Sequence, residues 1–525
     1  MKKFISQIHL GAAILLCIFA ILDSSNLFAK QISIPSKMPT PTPTPAPHAR
    51  VNIPPRVPVV LPVPSVSPRT NLSRVAADDG AFADQKLKSE SLLMRNLSFP
   101  GIHAGVVVAS PSQSAPNYFF HWVRDAAISF MQVQSFYLTE AGNSRPSLQS
   151  WMTAHLSLNL GFQAIPNLMT GDGEPKFNVD GSAFQGPWGR PQTDGPALRA
   201  ISFIYFLNIV LKENWSNRDQ IVSHLYDSKL PTQSLIKTDL EYVAHHWNQN
   251  SFDLWEEALG SHFFTLVVQR RAMVDGAKLA QSFGDNGAAQ FYSQQAQQIG
   301  QVLQSFWNSS GNYVVTTINM QSGPRKVSLL DSSVLLAALY GDVGDGFYAP
   351  YDDRILATLE VLKEVFRKEY PINQNPNLGV AIGRYPEDTY DGVSTNGTGN
   401  AWFIASQSAA EIYYRIALHL TQVRQFQINQ LNLRFYNALM QGQMSFTPGQ
   451  LVAGNNQVLA KIAQALVQEG DRELELTILH RGTDGSLSEQ INRGSGIMQG
   501  AVNLTWSHAS YLSAMAWRAY VRNLL

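Results

Sequence analysis

The sequence predicts an all-α fold in which paired helices close into a toroid. Amphipathic runs with apolar residues at helical spacing recur from about residue 81 to the C-terminus. Short loops join some of these runs in pairs, whereas the Gly- and Trp-rich loops 161–195, 370–400 and 480–506 are long. A Pro-rich segment precedes the helical part. With 45% hydrophobic residues among 525, the chain can build a large core.

The N-terminal segment is expected to direct export. Residues 1–29 are typical of a signal peptide, because Lys2 and Lys3 precede an apolar stretch over residues 10–22. Cys17, the only cysteine, lies within this segment, so the exported protein has no disulfide. We expect a secreted or extracellular protein, with the periplasm as the alternative compartment. We expect no membrane span after removal of the signal.

Residues 30–80 form a predicted linker between the signal and the helical part. Alternating Thr-Pro pairs favour extended polyproline and cannot build a core. We therefore predict a disordered tether, followed by one folded domain over residues 81–525.

The helices are placed by apolar spacing and by their end signals. Ser261 is predicted to be an N-cap, and Gly284 ends the run that follows it. The predicted helices cover 126–138, 148–160, 196–211, 261–283, 288–307, 330–339, 354–366, 401–420, 456–468 and 508–521.

Composition and charge restrict the class of partner. Lys+Arg and Asp+Glu both number 39, so the net charge is zero and no basic field is available for nucleic acid or an anionic membrane. A neutral polymer suits this surface better, and the flat rings of 10 Trp and 18 Tyr suit sugars, although core packing explains most of them. The histidines lack metal-ligand spacing and no Gly-rich phosphate loop precedes a helix, so no metal or cofactor is expected.

Four segments bring charged side chains next to aromatic ones at loop–helix junctions. The first, residues 117–125, places Tyr118 and Trp122 beside Arg124 and Asp125. Charges of both signs can bind vicinal hydroxyls, while a ring packs against the apolar face of a sugar. The alternative is a structural salt bridge that caps a helix.

The second segment, residues 186–199, is an irregular loop that presents Trp188 and Arg190. Proline and glycine pin its backbone. A buried tryptophan that anchors the loop explains this pattern equally well.

The third segment, residues 252–258, contains the adjacent carboxylates Glu256 and Glu257 beside a tryptophan. Its surroundings are apolar, which raises the pKa of a carboxyl and lets it act as an acid. The alternative is that these acids stabilise the first turn of the next helix through its dipole.

The fourth segment, residues 485–490, contains one carboxylate, Glu489, on a loop before the last helix. Alone, it is most simply a surface glutamate. Together, separated carboxylates with aromatic and arginine neighbours are what cleavage of a glycosidic bond requires, one as acid and the other as nucleophile or base. The sequence does not give their separation, so retention and inversion both stay open.

Several strings in this order resemble the glucoamylases (glucan 1,4-α-glucosidases) of glycoside hydrolase family 15, over about residues 95–522. They are Tyr-Phe-Phe-His-Trp-Val-Arg-Asp, Glu-Pro-Lys-Phe-Asn-Val-Asp, Trp-Gly-Arg-Pro-Gln-Thr-Asp-Gly-Pro-Ala-Leu-Arg, Asp-Leu-Trp-Glu-Glu, Gly-Arg-Tyr-Pro-Glu-Asp-Thr-Tyr, and Ser-Glu-Gln with Leu-Thr-Trp-Ser. The resemblance implies an (α/α)6 barrel, a toroid of six helical hairpins with the site at the mouth of the inner ring. It implies exo-acting, inverting hydrolysis of terminal α-1,4-linked glucose, and slowly of α-1,6-linked glucose, with release of β-D-glucose.

The resemblance also implies roles for individual residues. Glu256 corresponds to the general acid, and Glu489 to the general base that holds the attacking water. The implied substrate contacts come from Tyr118, Trp122, Arg124, Asp125, Trp188, Arg190, Leu254, Glu257 and Arg384.

Some positions depart from the family pattern. Phe120, Thr193, Leu259 and Ile491 stand where Tyr, Arg, Asn and an aromatic residue are frequent, which puts subsite preferences in doubt more than the chemistry. No starch-binding domain is recognised. We therefore expect starch dextrins or glycogen as the substrate and poor action on raw starch.

Other functions stay open at this stage. One is a helical-barrel hydrolase specific for trehalose or dextran, which tests on maltose, isomaltose, dextran and trehalose would separate. Another is a catalytically inactive glucan-binding protein, against which the presence of both carboxylates argues. A requirement for phosphate would reveal phosphorolysis. In each case the expected partners are α-glucan oligo- and polysaccharides, and we expect a monomer.

Overall fold

The structure is a computed structural model that describes residues 80–139, 144–168, 171–213, 215–423, 425–453 and 456–525. The predicted signal peptide and all of the predicted linker except Gly80 lie outside the described residues. Both remain predictions.

The described residues contain fourteen α-helices. In chain order they are α1 Gly80–Arg95, α2 Val123–Thr139, α3 Ser144–Ala164, α4 Asp194–Lys212, α5 Arg218–Leu225, α6 Leu235–His246, α7 Phe263–Ser282, α8 Asn286–Leu303, α9 Ser333–Tyr340, α10 Asp353–Glu369, α11 Phe403–Gln422, α12 Leu433–Leu439, α13 Asn456–His480 and α14 Thr505–Arg522.

Six of these helices form a closed inner ring. Following the contacts, α2 packs on α4, α4 on α7, α7 on α9, α9 on α11, α11 on α14, and α14 returns to α2. These helices are apolar on nearly every side, as expected for helices enclosed by others. By length and composition α4 could also cross a bilayer, but most of it is buried inside the protein. The inner ring therefore accounts for its apolarity.

An outer layer of helices covers the ring. α3 packs on α2, α6 on α4, α8 on α7, α10 on α9, α13 on α11, and α1 on α14. Outer helices such as α8 and α10 bury one face and expose the other. The outer layer and the inner ring together form the six-hairpin toroid, and the (α/α)6 barrel predicted from the sequence is confirmed.

Short antiparallel sheets precede three of the inner helices. β1 (His121–Trp122) leads directly into α2 and pairs with β2 (Lys176–Phe177). β4 (Leu259–His262) leads into α7 and lies between β3 (Ser251–Phe252) and β7 (Thr317–Ser322). β8 (Ala401–Trp402) leads into α11 and pairs with β11 (Gln490–Ile491), which also pairs with β12 (Met498–Gln499). Two further antiparallel pairs join β5 (Trp307–Asn308) to β6 (Tyr313–Val314), and β9 (Gln425–Gln427) to β10 (Leu451–Ala453). The first three sheets gather the candidate residues at the N-terminal ends of the inner helices.

Two predicted helix boundaries are wrong. Ser261 is not an N-cap, because it lies in β4 opposite Ile318, and sheet pairing keeps the backbone extended to His262. The helix predicted over 288–307 ends at Leu303, because a 3-10 turn and β5 follow.

The sequence also missed α1, α5, α6 and α12, and α13 is longer than predicted. Gly470 lies inside α13 instead of ending a helix. A Cβ there would approach the ring of Tyr414 to 2.6 Å, so close packing between α11 and α13 explains this glycine.

Candidate active site

Glu256 lies on a tight turn between β3 and β4. Its φ of 66° is in the left-handed region, which non-glycine residues rarely adopt and which persists only where the surroundings enforce it. The turn is closed by bonds from Glu256 N to the Asp253 carbonyl (2.9 Å) and from Asp253 N to the Ala258 carbonyl (2.9 Å). Asp253 Oδ1 also accepts from the backbone N–H groups of Glu257 and Ala258 at 2.9 and 3.0 Å. The 253–258 turn therefore fixes the direction of the Glu256 side chain.

The carboxylate of Glu256 is held by one of its two oxygens. Oε1 accepts hydrogen bonds from Trp122 Nε1 at 2.7 Å and from Gln192 Nε2 at 3.0 Å, and the Arg124 guanidinium lies 3.5 Å away. Oε2 has no hydrogen-bond partner among the described residues, and the side chain is 18% exposed. Oε2 is therefore the oxygen that can carry a proton towards a bound substrate.

Glu489 is fully buried and directly precedes β11. Its Oε1 accepts from Tyr118 Oη at 2.8 Å, and its Oε2 from Tyr390 Oη at 3.3 Å. Burial raises the pKa of Glu489 to about 7, although Tyr118, Arg384 and Tyr390 oppose that shift. The expectation of a surface glutamate is thereby excluded. Gly500 leaves room for this carboxylate, because a Cβ there would lie 2.3 Å from Glu489 Oε2.

The segment that ends in β1 connects the two carboxylates. Tyr118 binds Glu489, Trp122 binds Glu256, and the two rings pack with centroids 5.3 Å apart. Glu256 and Glu489 are 233 positions apart in the chain (489 − 256), yet both contact this one segment. The structure therefore brings the two carboxylates identified in the sequence into one site.

Arg124 and Asp125 begin α2 beside this segment. Arg124 does not pair with its neighbour, because its Nη1 donates to Asp194 at 2.7 Å and to Gln192 at 3.1 Å. Gln192 thus bridges Arg124 and Glu256. Burial raises the pKa of Asp125 to about 7, against the opposing charge of Arg124.

Glu257 and Arg384 form the other side of the site. Arg384 Nη1 lies 3.1 Å from Glu257 Oε2, and the same guanidinium donates to both oxygens of Asp388 at 2.8 and 2.5 Å. The guanidinium also lies near the rings of Trp255 (5.5 Å) and Trp402 (5.6 Å). Burial raises the pKa of Glu257, and the charge of Arg384 opposes this shift.

Trp188 and Arg190 take different positions in the loop of residues 186–199. Trp188 is 38% exposed and its ring lies 3.2 Å from Lys176 Nζ. Arg190 is buried and donates to both oxygens of Glu174 at 2.7 and 2.9 Å, and to loop carbonyls. Trp188 therefore faces outwards, whereas the Arg190 guanidinium is held by Glu174 and by the loop carbonyls. Leu254 is buried in the 253–258 turn.

The sequence reasoning missed several polar residues of this site. Lys176 is buried with its ammonium over four aromatic rings at 3.2 to 4.5 Å, a cation–π cage beside Glu256. Burial lowers the pKa of Lys176 to about 8, and Glu256 opposes this shift. Gln192, Tyr390 and Lys326 were missed as well. Lys176, Gln192 and Tyr390 stand inside strings that resemble the family, which was the available signal.

Comparison with models of known protein families identifies the family of this chain. The model for glycosyl hydrolases family 15 matches residues 85–516. The chain belongs to this family. The family 15 match covers all the candidate residues and confirms the relationship inferred from the sequence strings.

Individual family 15 proteins agree with this result. Glucoamylase 1 of Rhizopus oryzae is 37% identical over 432 residues, which cover 81% of this chain and 68% of that protein. The probable glucoamylase of Schizosaccharomyces pombe is 34% identical over 86% of this chain and 94% of its own length. The solved glucoamylase from Saccharomycopsis fibuligera superposes with a TM-score of 0.73 at 33% identity, covering 85% of this chain and 96% of that one. Family and relatives together confirm the predicted enzyme class, an inverting exo-glucosidase.

Proposed function

We propose that Glu256 is the general acid and Glu489 the general base in the removal of glucose from the non-reducing ends of α-glucans. The observation that carries this assignment is the shared contact of both carboxylates with the segment of Tyr118 and Trp122. The hydrogen bonds made by the two carboxylates also differ. Among the described residues one oxygen of Glu256 has no hydrogen-bond partner, as a proton donor needs, whereas both oxygens of Glu489 accept hydrogen bonds.

In this mechanism the two carboxyl groups act on opposite faces of the terminal glucose. Glu256 Oε2 gives its proton to the glycosidic oxygen as the bond from that oxygen to C1 breaks. Glu489 takes a proton from a water molecule whose oxygen bonds to C1 from the other side. The products are β-D-glucose and a glucan chain one unit shorter. Glu256 is left ionised and Glu489 protonated, and exchange with solvent restores both.

The remaining residues would bind and orient the sugar. Arg124 and Asp125, with the Leu254 backbone, would bind hydroxyls of the terminal glucose. Tyr118, next to Glu489, would lie near the positive charge that develops at C1.

Other residues would act around the cleaved bond and in the cleft. Glu257, Arg384 and Arg190 would contact the sugars around the cleaved bond. Trp122 would line the innermost subsite, and Trp188 would shape the cleft. The exposed ring of Trp188 supports the latter role.

We further propose starch dextrins or glycogen as the substrate, export from the cell, and a monomeric enzyme. Export is supported by the sequence of residues 1–29. One relative is described as intracellular, so the compartment needs its own test. Detection of the mature N-terminus in culture medium, beside a size measurement in solution, would settle both points.

Glu256→Gln and Glu489→Gln test the assignment directly. Each should lower kcat on maltoheptaose by about 10²- to 10⁴-fold, because the amide cannot transfer the proton although it keeps the shape of the side chain. Proton NMR during hydrolysis by the unmodified enzyme should show β-glucose first. Glu369→Gln, at an exposed position on α10, is the control.

Several outcomes would contradict the proposal. Near-normal activity in either site variant would remove that residue from its role. Initial α-glucose would exclude inversion. Binding of maltoheptaose without release of glucose would identify a catalytically inactive protein, and preferential cleavage of trehalose or dextran would change the substrate.

A further inference from the structure

Lys326 is a buried lysine beneath the turn that carries the general acid. It comes from the loop between β7 and α9, and its side chain is 0% exposed. Its ammonium lies 3.1 Å from Asp253 Oδ2, 3.1 Å from Glu257 Oε1 and 3.2 Å from Asp331 Oδ2. Burying an ammonium is costly unless it is paired, so these three carboxylates and the lysine depend on one another.

Each carboxylate connects Lys326 to a different part of the site. Asp253 accepts the backbone bonds that close the 253–258 turn. Asp331 accepts from Trp255 Nε1 at 2.9 and 3.1 Å, which holds the residue immediately before Glu256. Glu257 follows Glu256 directly. Lys326 is thus linked to both ends and to the middle of the turn.

The electrostatics agree with this arrangement. Burial raises the pKa of Asp253, but the charge of Lys326, together with His262 and the backbone hydrogen bonds from Ala258 and Glu257, outweighs burial, and the pKa falls to about 2. Arg384, the other cation at this cluster, is already engaged with Asp388 and Glu257. Without Lys326, Asp253 and Asp331 would keep no cationic partner among the described residues.

We propose that Lys326 is a positioning residue that holds the 253–258 turn, and with it Glu256 in its left-handed conformation, in the geometry needed for proton donation. The inference rests on the proposed role of Glu256 as the general acid. The ammonium of Lys326 contacts the three carboxylates and is not proposed to contact the substrate. It acts through Asp253, Asp331 and Glu257.

The role can be tested with two substrates that differ in their need for an acid. Maltose has a poor leaving group that must be protonated, whereas α-D-glucopyranosyl fluoride carries an activated one. In Lys326→Met, a displaced Glu256 should lower kcat on maltose by about 100-fold, because small displacements of catalytic groups have effects of this size. On the fluoride the loss should be roughly tenfold smaller.

Matched variants make the result specific. Lys326→Arg keeps the charge and should recover part of the maltose activity. Lys368→Met, at an exposed lysine that pairs with Glu364 on its own helix, should behave as the unmodified enzyme. If Lys326→Met does not fold, Lys326→Arg is measured on both substrates, and the same selective loss on maltose is expected at smaller size.

The outcomes separate this inference from the proposed function. Glu256→Gln, run in parallel, must lose activity on maltose far more than on the fluoride, and its failure to do so would overturn the acid assignment itself. If Glu256→Gln behaves as expected while the Lys326 variants lose both activities equally, or neither, only the positioning role is wrong.

Discussion

Glu489 is proposed as a base, yet its surroundings favour the protonated form. Burial raises its pKa to about 7, and the hydrogen bond from Tyr118 Oη (2.8 Å) is one of the contacts that keep the pKa from rising further. Tyr118→Phe removes this hydrogen bond, which stabilises the ionised form of Glu489. Because the base must be ionised to act, the acidic limb of the pH profile of kcat/KM should move to higher pH, by about one unit.

The pH profile separates this electrostatic effect from a loss of packing. Tyr205→Phe, at a tyrosine of α4 for which no carboxylate contact is described, should leave the limb in place. A Tyr118→Phe enzyme with lower kcat/KM but an unchanged limb would show that the hydrogen bond does not control the ionisation of Glu489.

Single residues also show what the sequence could reveal about the site. Glu256 and Glu257 were identifiable from their apolar surroundings. Glu489 was not, because its burial depends on Tyr118 and Tyr390, which are distant in the chain. Lys326 carried no signal at all. Two of its acidic partners, Asp253 and Glu257, lie in the 253–258 turn, and only the fold brings that turn to the loop that carries Lys326 and Asp331.

At the level of elements, α1 is fastened to the start of α14 by Asn96. Its Nδ2 donates to the Asn503 carbonyl at 2.9 Å and to Thr505 Oγ1 at 2.7 Å, and the side chain is fully buried. Asn96→Ala leaves a buried carbonyl with fewer donors, which costs about 1–3 kcal/mol. We expect the melting temperature to fall by a few degrees while kcat stays unchanged.

A calorimetric scan of Asn96→Ala beside Asn523→Ala, an exposed asparagine after α14, measures this contribution. Equal melting temperatures for the two variants would show that the Asn96 side chain does not contribute to holding α1 on α14. A fall in kcat would instead mean that the α1–α14 contact affects the site.

Helix prediction succeeded where a helix is long and periodic, and failed elsewhere for identifiable reasons. The inner helices α4 and α11 were found to within two residues at each end. α5 and α12 have 8 and 7 residues, too few for a clear apolar period. Ser261 was misassigned because a serine before an apolar run is equally compatible with a helix N-cap and with a position in a strand such as β4.

At the scale of the whole molecule, the closure of the toroid was not readable from the chain alone. Ring closure requires α14 to pack on both α1 and α2, the most distant helices in sequence. Periodicity predicted the individual helices, and the loop lengths indicated which helices pair. The number of six hairpins came from the family resemblance. Packing among the outer helices also buries charged groups.

Glu473 on α13 is one such group, and it makes stability depend on pH. It is 0% exposed, its Oε2 accepts from Val380 N at 2.9 Å, and its Oε1 lies 2.9 Å from Lys363 Nζ. Burial raises its pKa from the ordinary glutamate value of about 4.5 to about 7, against the charge of Lys363. The unfolded chain therefore loses this proton at lower pH than the folded protein. The resulting penalty on folding grows between about pH 4.5 and 7 and reaches roughly 3 kcal/mol above that range.

Glu473→Gln removes this penalty, so the melting temperature of the variant minus that of the unmodified protein should increase from pH 5 to pH 8. Buried histidines such as His155 and His508, whose pKa values burial lowers to about 4 and 3, act in the opposite direction. They are present in both proteins and cancel in the difference. Glu369→Gln, the same substitution at an exposed position of α10, is the control. A flat difference for Glu473→Gln would mean that Lys363 keeps Glu473 ionised throughout, and that burial does not control this carboxyl.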